Sequence, residues 1–318
     1  MISLGLASRD DDAGIRALLA SNPMPGRIRV RFEREPSYFA GCSPDDDVLV
    51  ARDGSAVVGV ACRSIRPLYV NGSVENIGYL GQLRVDRAYR GQLLTVRGYR
   101  LMRELHEQRP ARGYYTTIVE GNVQAEGVLV RKSRGVMPRY RFVERLHTLA
   151  VPVERRALAR RESRRAEARR STSNLFPAYA PQGPIIETVA GSAALVDQRA
   201  YKQTVIDGYS RAITITRPLY NLVGRIKLPK PNTALNHAYV THFQAEDPHA
   251  LINAILERAQ GYDHVLFGFT ESDPALEAAR GFKPVEYVSS IYTVAFDDRD
   301  DFHERLLARP RALDISAL

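Results

Sequence analysis

Two stretches of this chain, GYYTTIV at 113–119 and GYDHVLFGF at 261–269, open an apolar run with the same Gly-Tyr pair, 148 residues apart. Each lies between segments with helical spacing. Leu94, Leu101, Met102 and Leu105 precede the first, and Leu251, Ile252, Ile255 and Leu256 precede the second. An apolar run closes each series, at 142–151 and 285–296. In a chain of 318 residues this recurrence is most economically explained by two copies of one fold.

The rest of the first half fits that reading. Ile2 to Ala7 is expected as a strand, and Asp10 to Asp12 cap a helix bearing Ile15, Leu18 and Leu19. Turns at Asp53-Gly54 and Asn71-Gly72 divide 47–85 into a three-strand meander. Next come a helix over 93–108, a strand over 114–119, a helix over 123–133 and a strand over 142–151. The order βαβββαβαβ, with its last helices as crossovers, predicts a mixed α/β sheet. In the second half a strand at 237–246 runs into Asp247-Pro248, an N-cap with proline at the first helical position.

Size and charge set the outer limits. The chain is long enough for two ordinary domains. No apolar run reaches the roughly 18–20 residues of a membrane span. MISLGLASRDDD turns acidic where a signal peptide would be basic and then apolar, so the expected compartment is the cytoplasm. Cys42 and Cys62 are too few for a disulfide framework or a zinc site and read as core residues; no metal is expected.

The net charge of +9 resides mostly in ERRALARRESRRAEARR at 154–170, with eight Arg against three Glu. On a helix its arginine pairs would spread around the whole cylinder at about 100° per residue. That pattern favours a solvated linker over a one-sided nucleic-acid face. With the Pro-containing stretch 171–184 it divides the chain into 1–153, a linker over 154–184 and 185–318.

The junction VDRAYRGQLLT, 85–95, asks for more than a fold. A strand entering a helix through a glycine turn leaves backbone N–H groups at the positive end of the helix dipole, a place suited to phosphate. Arg90 adds a cation, and Gly91 lets an anion approach the backbone. The stretch resembles the signature of the GNAT acyltransferase superfamily, Val-x-Pro-x-x-Arg-Gly-x-Gly-x-Gly/Ala. IVEGNVQAEGVLV at 118–130 is similar to that family's next motif. Leu93 and Thr95 stand where the family has its second and third glycines.

The resemblance implies two tandem GNAT-like domains and an acyl-coenzyme A co-substrate. It also implies an N-acyltransferase acting on a primary amine of a small molecule or peptide. By it, Leu83, Arg84 and Val85 would pair with the pantetheine arm. Arg90, Gly91, Gln92, Leu93, Leu94 and Thr95 would wrap the pyrophosphate, and Asn122 would touch pantetheine. A core strand, a helix cap and a turn-closing Asn account for the same residues. The second copy puts Glu246 and Asp247 where pyrophosphate would lie, so one donor site is expected, in the first half. The second copy would then shape the acceptor pocket or a subunit interface, a homodimer included.

For proton transfer, Tyr79 occupies the family's base position, with Glu75 on the same strand face about 13 Å earlier. Leu129 stands at the family's usual acid position, leaving Tyr140 for that role. The family's acceptor-binding helices fall at 23–39, where Glu33, Glu35, Tyr38 and Phe39 would receive an amine; a solvated helix face explains them equally. Tandem copies are similar to mycothiol synthases and N-myristoyltransferases. In the latter the terminal carboxylate is the base, a role the tail ALDISAL would give to Leu318. The competing reading is a non-catalytic module that senses coenzyme A and binds nucleic acid or an acidic protein through the Arg-rich segment.

Overall fold

The computed structural model describes residues 1–24, 26–91, 93–130, 137–154, 172–223, 228–297 and 300–318. In chain order the elements are β1 (Ile2–Leu6), α1 (Asp12–Ala20), β2 (Ile28–Glu33), β3 (Asp46–Asp53), β4 (Ala56–Val70), β5 (Ser73–Val85), α2 (Leu94–Gln108), β6 (Tyr114–Val119), α3 (Val123–Ala125) and β7 (Arg139–Pro152). There follow β8 (Ile185–Thr188), β9 (Gly191–Val196), β10 (Gln203–Tyr209), α4 (Arg211–Val223), β11 (Thr233–Ala234), β12 (His237–Ala245), α5 (Pro248–Arg258), β13 (His264–Thr270), α6 (Ala275–Arg280), β14 (Val285–Ala295) and α7 (Phe302–Leu307). The expected crossover over 123–133 is shorter than its spacing indicates. Asn122 caps α3, which passes into a π-helical turn at Glu126–Val130, and 131–136 lie outside the described residues.

The chain forms two compact units, neither a continuous stretch. The first contains 1–64, 80–108 and 199–235. Its sheet runs β1-β3-β4-β5, and Ile15, Leu18 and Leu19 of α1 are buried against Val48, Val50, Val60 and Cys62. Cys62 is thus a core residue, as expected, while Cys42 packs half-buried at the edge of this cluster. A second sheet, β11-β10-β2, corrects the helical expectation for 23–39: IRVRFE alternates with period two and pairs antiparallel with β10, from Gln203↔Glu33 to Tyr209↔Ile28. The candidate acceptor carboxylates there are spoken for. Glu33 accepts from Arg31 at 2.8 Å, Glu35 from Arg16 at 2.6 Å, and Tyr38 is buried in the α1 cluster.

The second unit contains 65–79, 109–198 and 236–318. Its sheet order is β4-β5-β6-β14-β7-β13-β12-β9-β8. β14 lies antiparallel between β6 and β7, and β7 lies antiparallel between β14 and β13. The last strand of each sequence copy is thus flanked by a strand of the other copy. Leu149 and Val151 of β7 are completely buried with Val265 and Phe267 of β13 and with Leu251, Ile252 and Ile255 of α5. The sequence division at 153 and 185 therefore separates strands that share one hydrogen-bonded ladder.

Candidate functional site

In the first unit β5 ends in an irregular stretch. Gln82 adopts φ 58, and Leu83, Arg84 and Val85 follow half-buried, with Arg84 Nη1 donating to the Leu83 carbonyl at 2.9 Å. Asp86 N–H donates to Val58 O at 2.9 Å, and the Asp86 carboxylate caps the turn by accepting from Ala88 N–H. Tyr89 Oη donates to Asp53 at 2.9 Å. Leu94, buried with Ala51 and Val58, anchors the start of α2.

Between these anchors lies the phosphate-loop candidate. Gly91 has φ 88, and nothing stands within 4 Å of where a Cβ would be, so glycine is needed here for backbone angle and not for space. Leu93 has φ 55 although it is a leucine, and its side chain is 70% exposed. A left-handed L-residue costs roughly 1–2 kcal/mol. The loop keeps the conformation a glycine would favour at the position where the family motif has one. The ladder of α2 begins with Arg97 N–H to Leu93 O, so the N–H groups of Leu94, Thr95 and Val96 precede it. Gln92 lies outside the described residues.

Arg90 does more than offer charge. Its Nε donates to Val85 O at 3.1 Å and its Nη2 to Asn22 Oδ1 at 2.8 Å, closing the loop on itself and onto the end of α1. Asn22, which sequence reasoning missed, in turn donates to Leu18 O at 2.9 Å.

In the second unit Tyr79 shares a 3.0 Å hydrogen bond with Thr117 Oγ1 and packs against the Tyr115 ring at 5.0 Å. Burial pushes the Tyr115 phenol well above the usual range, so it stays protonated. Glu75 forms an ion pair with Arg305, while its Oε2 is buried with no hydrogen-bond partner among the described residues. Arg305 is 230 residues away in sequence and was not foreseen. Tyr140 is buried with its ring against Tyr292, 6.3 Å between centroids, in a different side-chain group from Tyr79. The Asn122 side chain accepts from Ala125 N–H at 3.2 Å, the role of a helix cap. Leu313 and Ile315 of the tail are buried in the cluster of Ile77, Tyr115 and Leu146, with Tyr79 and Leu318 packed at its edge.

The second copy's strand-to-helix junction also lies in this unit. β12 bulges at His242, φ 53, whose ring bonds Thr241 Oγ1 at 2.9 Å and Tyr179 O at 2.7 Å. There is no loop after it. Asp247 caps α5 at once, accepting from Ala250 N–H at 3.0 Å. A Cβ at Gly268 of β13 would collide with Ile315, so the tail lies directly on that strand. Phe176, His242, Asp273 and Asp314 line a small cavity beside it.

No family model and no curated protein matches the chain. Solved structures do. Two structures of Saccharomyces cerevisiae N-myristoyltransferase with bound myristoyl-CoA are similar to it at 12% identity. One gives a TM-score of 0.52 over 92% of this chain and 82% of that one. The other gives 0.53 over 92% and 79%. A GNAT family acetyltransferase from Brucella melitensis in complex with acetyl-CoA is similar over 40% of this chain and 82% of that one, at 17% identity and a TM-score of 0.27. The chain shares the fold of these N-myristoyltransferase structures.

Proposed function

We propose that the chain is an N-acyltransferase that moves an acyl group from acyl-coenzyme A to a primary amine of a small molecule or peptide. The observation that carries this reading is the 90–95 loop, where Gly91 and Leu93 both hold left-handed backbone ahead of the unladdered N–H groups of α2. Strain kept at an exposed leucine is the kind that persists where a backbone must meet a ligand. The backbone fits a pyrophosphate. Arg90 fits it as the residue that shapes the loop, since its guanidinium already holds Val85 and Asn22.

In the reaction the amine nitrogen attacks the thioester carbonyl carbon, the C–S bond breaks, the amine loses a proton and the thiolate gains one. Tyr79 is the residue proposed to relay the amine proton, with Glu75 Oε2 as its final acceptor and Tyr140 as the proton donor. The two halves of the sequence, 1–153 and 185–318, are proposed as an acyl-donor copy and a degenerate copy.

The test is calorimetric titration of the full chain with acetyl-CoA and myristoyl-CoA. Arg90→Glu is expected to weaken binding by about 5- to 150-fold, because a charged donor becomes a repelling acceptor and the loop loses two ties. Absence of binding by the unaltered protein to either compound refutes the proposal.

A further inference from the structure

Helix α4 turns an apolar stripe outward. Its polar side chains fasten it to the chain that follows: Arg217 Nη1 donates to Pro229 O at 2.8 Å and its guanidinium lies over the Tyr209 ring. Asn221 donates to Leu228 O at 3.0 Å and accepts from Leu228 N–H at 2.8 Å. Three of its apolar side chains face solvent. Ile215, Leu219 and Leu222, at spacings of four and three, form one stripe and are 69%, 65% and 81% exposed. At about 100° per residue Arg211, Ala212 and Pro218 fall on the same outward face, and all three are exposed. An ordinary surface helix has the opposite arrangement.

The charge of the sequence that carries the stripe indicates what covers it. From Gly208 to Ala245 the sequence contains no Asp or Glu and carries Arg211, Arg217, Arg225, Lys227 and Lys230. An apolar helix face in an exclusively basic stretch matches a surface that is apolar beneath and anionic above. No helix among the described residues is long and apolar enough to cross a membrane, so the contact is with its surface. We propose that α4 docks the protein on anionic lipid bilayers, with Ile215, Leu219 and Leu222 entering the headgroup region. This inference does not depend on the acyltransferase reading.

The test is co-sedimentation of the full chain with phosphatidylcholine vesicles, with and without phosphatidylserine. Binding is expected to the anionic vesicles, to weaken as salt rises, and to fall by at least about tenfold in the I215S/L219S/L222S variant. The substitutions lie on exposed positions, and circular dichroism checks that the variant is folded. A second readout uses the absence of tryptophan from the sequence: Leu219→Trp supplies a single fluorophore, whose emission should shift to the blue with anionic vesicles. Failure of the unaltered protein to bind, equal binding by the triple variant, or an unshifted indole emission from the Leu219→Trp protein overturns the proposal. So does a dimer that the triple variant dissolves without any vesicle binding, since a second copy would then be the occupant.

Discussion

β5 and β12 each carry a left-handed residue, Gln82 at φ 58 and His242 at φ 53, shortly before they hand over to a helix. After Gln82 the chain runs on to Leu94 through a capped turn, Gly91 and a strained Leu93. After His242 it soon reaches Asp247, whose carboxylate takes up one of the first N–H groups of α5. The strand irregularity belongs to both copies, and the open loop to one. Where the helix's own cap takes up one of these N–H groups, less is left for a phosphate, and the carboxylate would repel one.

The two copies share strands of one ladder, and fragments would show this most severely. Because β14 lies between β6 and β7, and β7 between β14 and β13, residues 1–184 and 185–318 expressed separately should each fail to fold. Expressed together they should reassemble. Near-ultraviolet dichroism and thermal melts of each fragment are the measurements. A cooperative melt of either fragment alone would mean that the exchanged strands are dispensable and the copies are independent bodies.

Next in size is the effect expected on turnover. Glu75→Gln should lower kcat by about 10²-fold or more while donor affinity stays unchanged. Tyr79→Phe, which removes the phenolic O–H and keeps the ring beside Tyr115, is the paired measurement. If turnover survives both substitutions, the relay through Tyr79 is wrong. The ion pair with Arg305 complicates the first variant, since an amide leaves that cation less compensated. A lower melting temperature is therefore expected as well, and kcat is compared well below it.

Sequence periodicity placed most strands and crossovers because each is a local pattern: 114–119 coincides with β6, and 93–108 differs from α2 by a single residue at its start. It misread 23–39, where prolines and mixed charges obscure the alternation of IRVRFE, and where the partner strand β10 is remote in sequence. The exchange of β7 and β14 left no signal, since a strand reads the same whichever neighbours it takes. At the site, Gly91 announced its own geometry. Leu93 could not, because leucine seldom adopts a left-handed angle, and the partners that fix Arg90 and Glu75, namely Asn22 and Arg305, are set only by the tertiary fold. The arginine-rich stretch 155–171 lies outside the described residues.

Gly91→Val isolates the backbone of the open junction. Nothing stands within 4 Å of a Cβ there, so the effect of a valine comes chiefly from φ 88, which a β-branched residue resists by about 1–3 kcal/mol. If the loop binds the donor through its N–H groups, affinity for acyl-coenzyme A should fall by about tenfold or more while the melting temperature changes little, because the exposed loop can relax without disturbing the core. Titration calorimetry and a thermal melt distinguish this from an ordinary structural glycine, for which stability would fall and affinity would follow it.

Asp247→Ala should give the smallest effect and the sharpest contrast. The side chain accepts from Ala250 N–H at 3.0 Å and caps α5, whose Leu251, Ile252 and Ile255 are completely buried. Losing such a cap costs about 1 kcal/mol. In the closed junction that cost should appear entirely as stability, with acyl-coenzyme A affinity and stoichiometry unchanged. Adding Glu246→Gln removes the second carboxylate that would repel an anion there, so titration of the double variant asks whether repulsion alone silences the second copy. A second equivalent of donor bound by this double variant would show that the closed junction keeps a latent phosphate site. An unaltered stoichiometry would show that the missing loop, and not the carboxylates, is what separates the two copies.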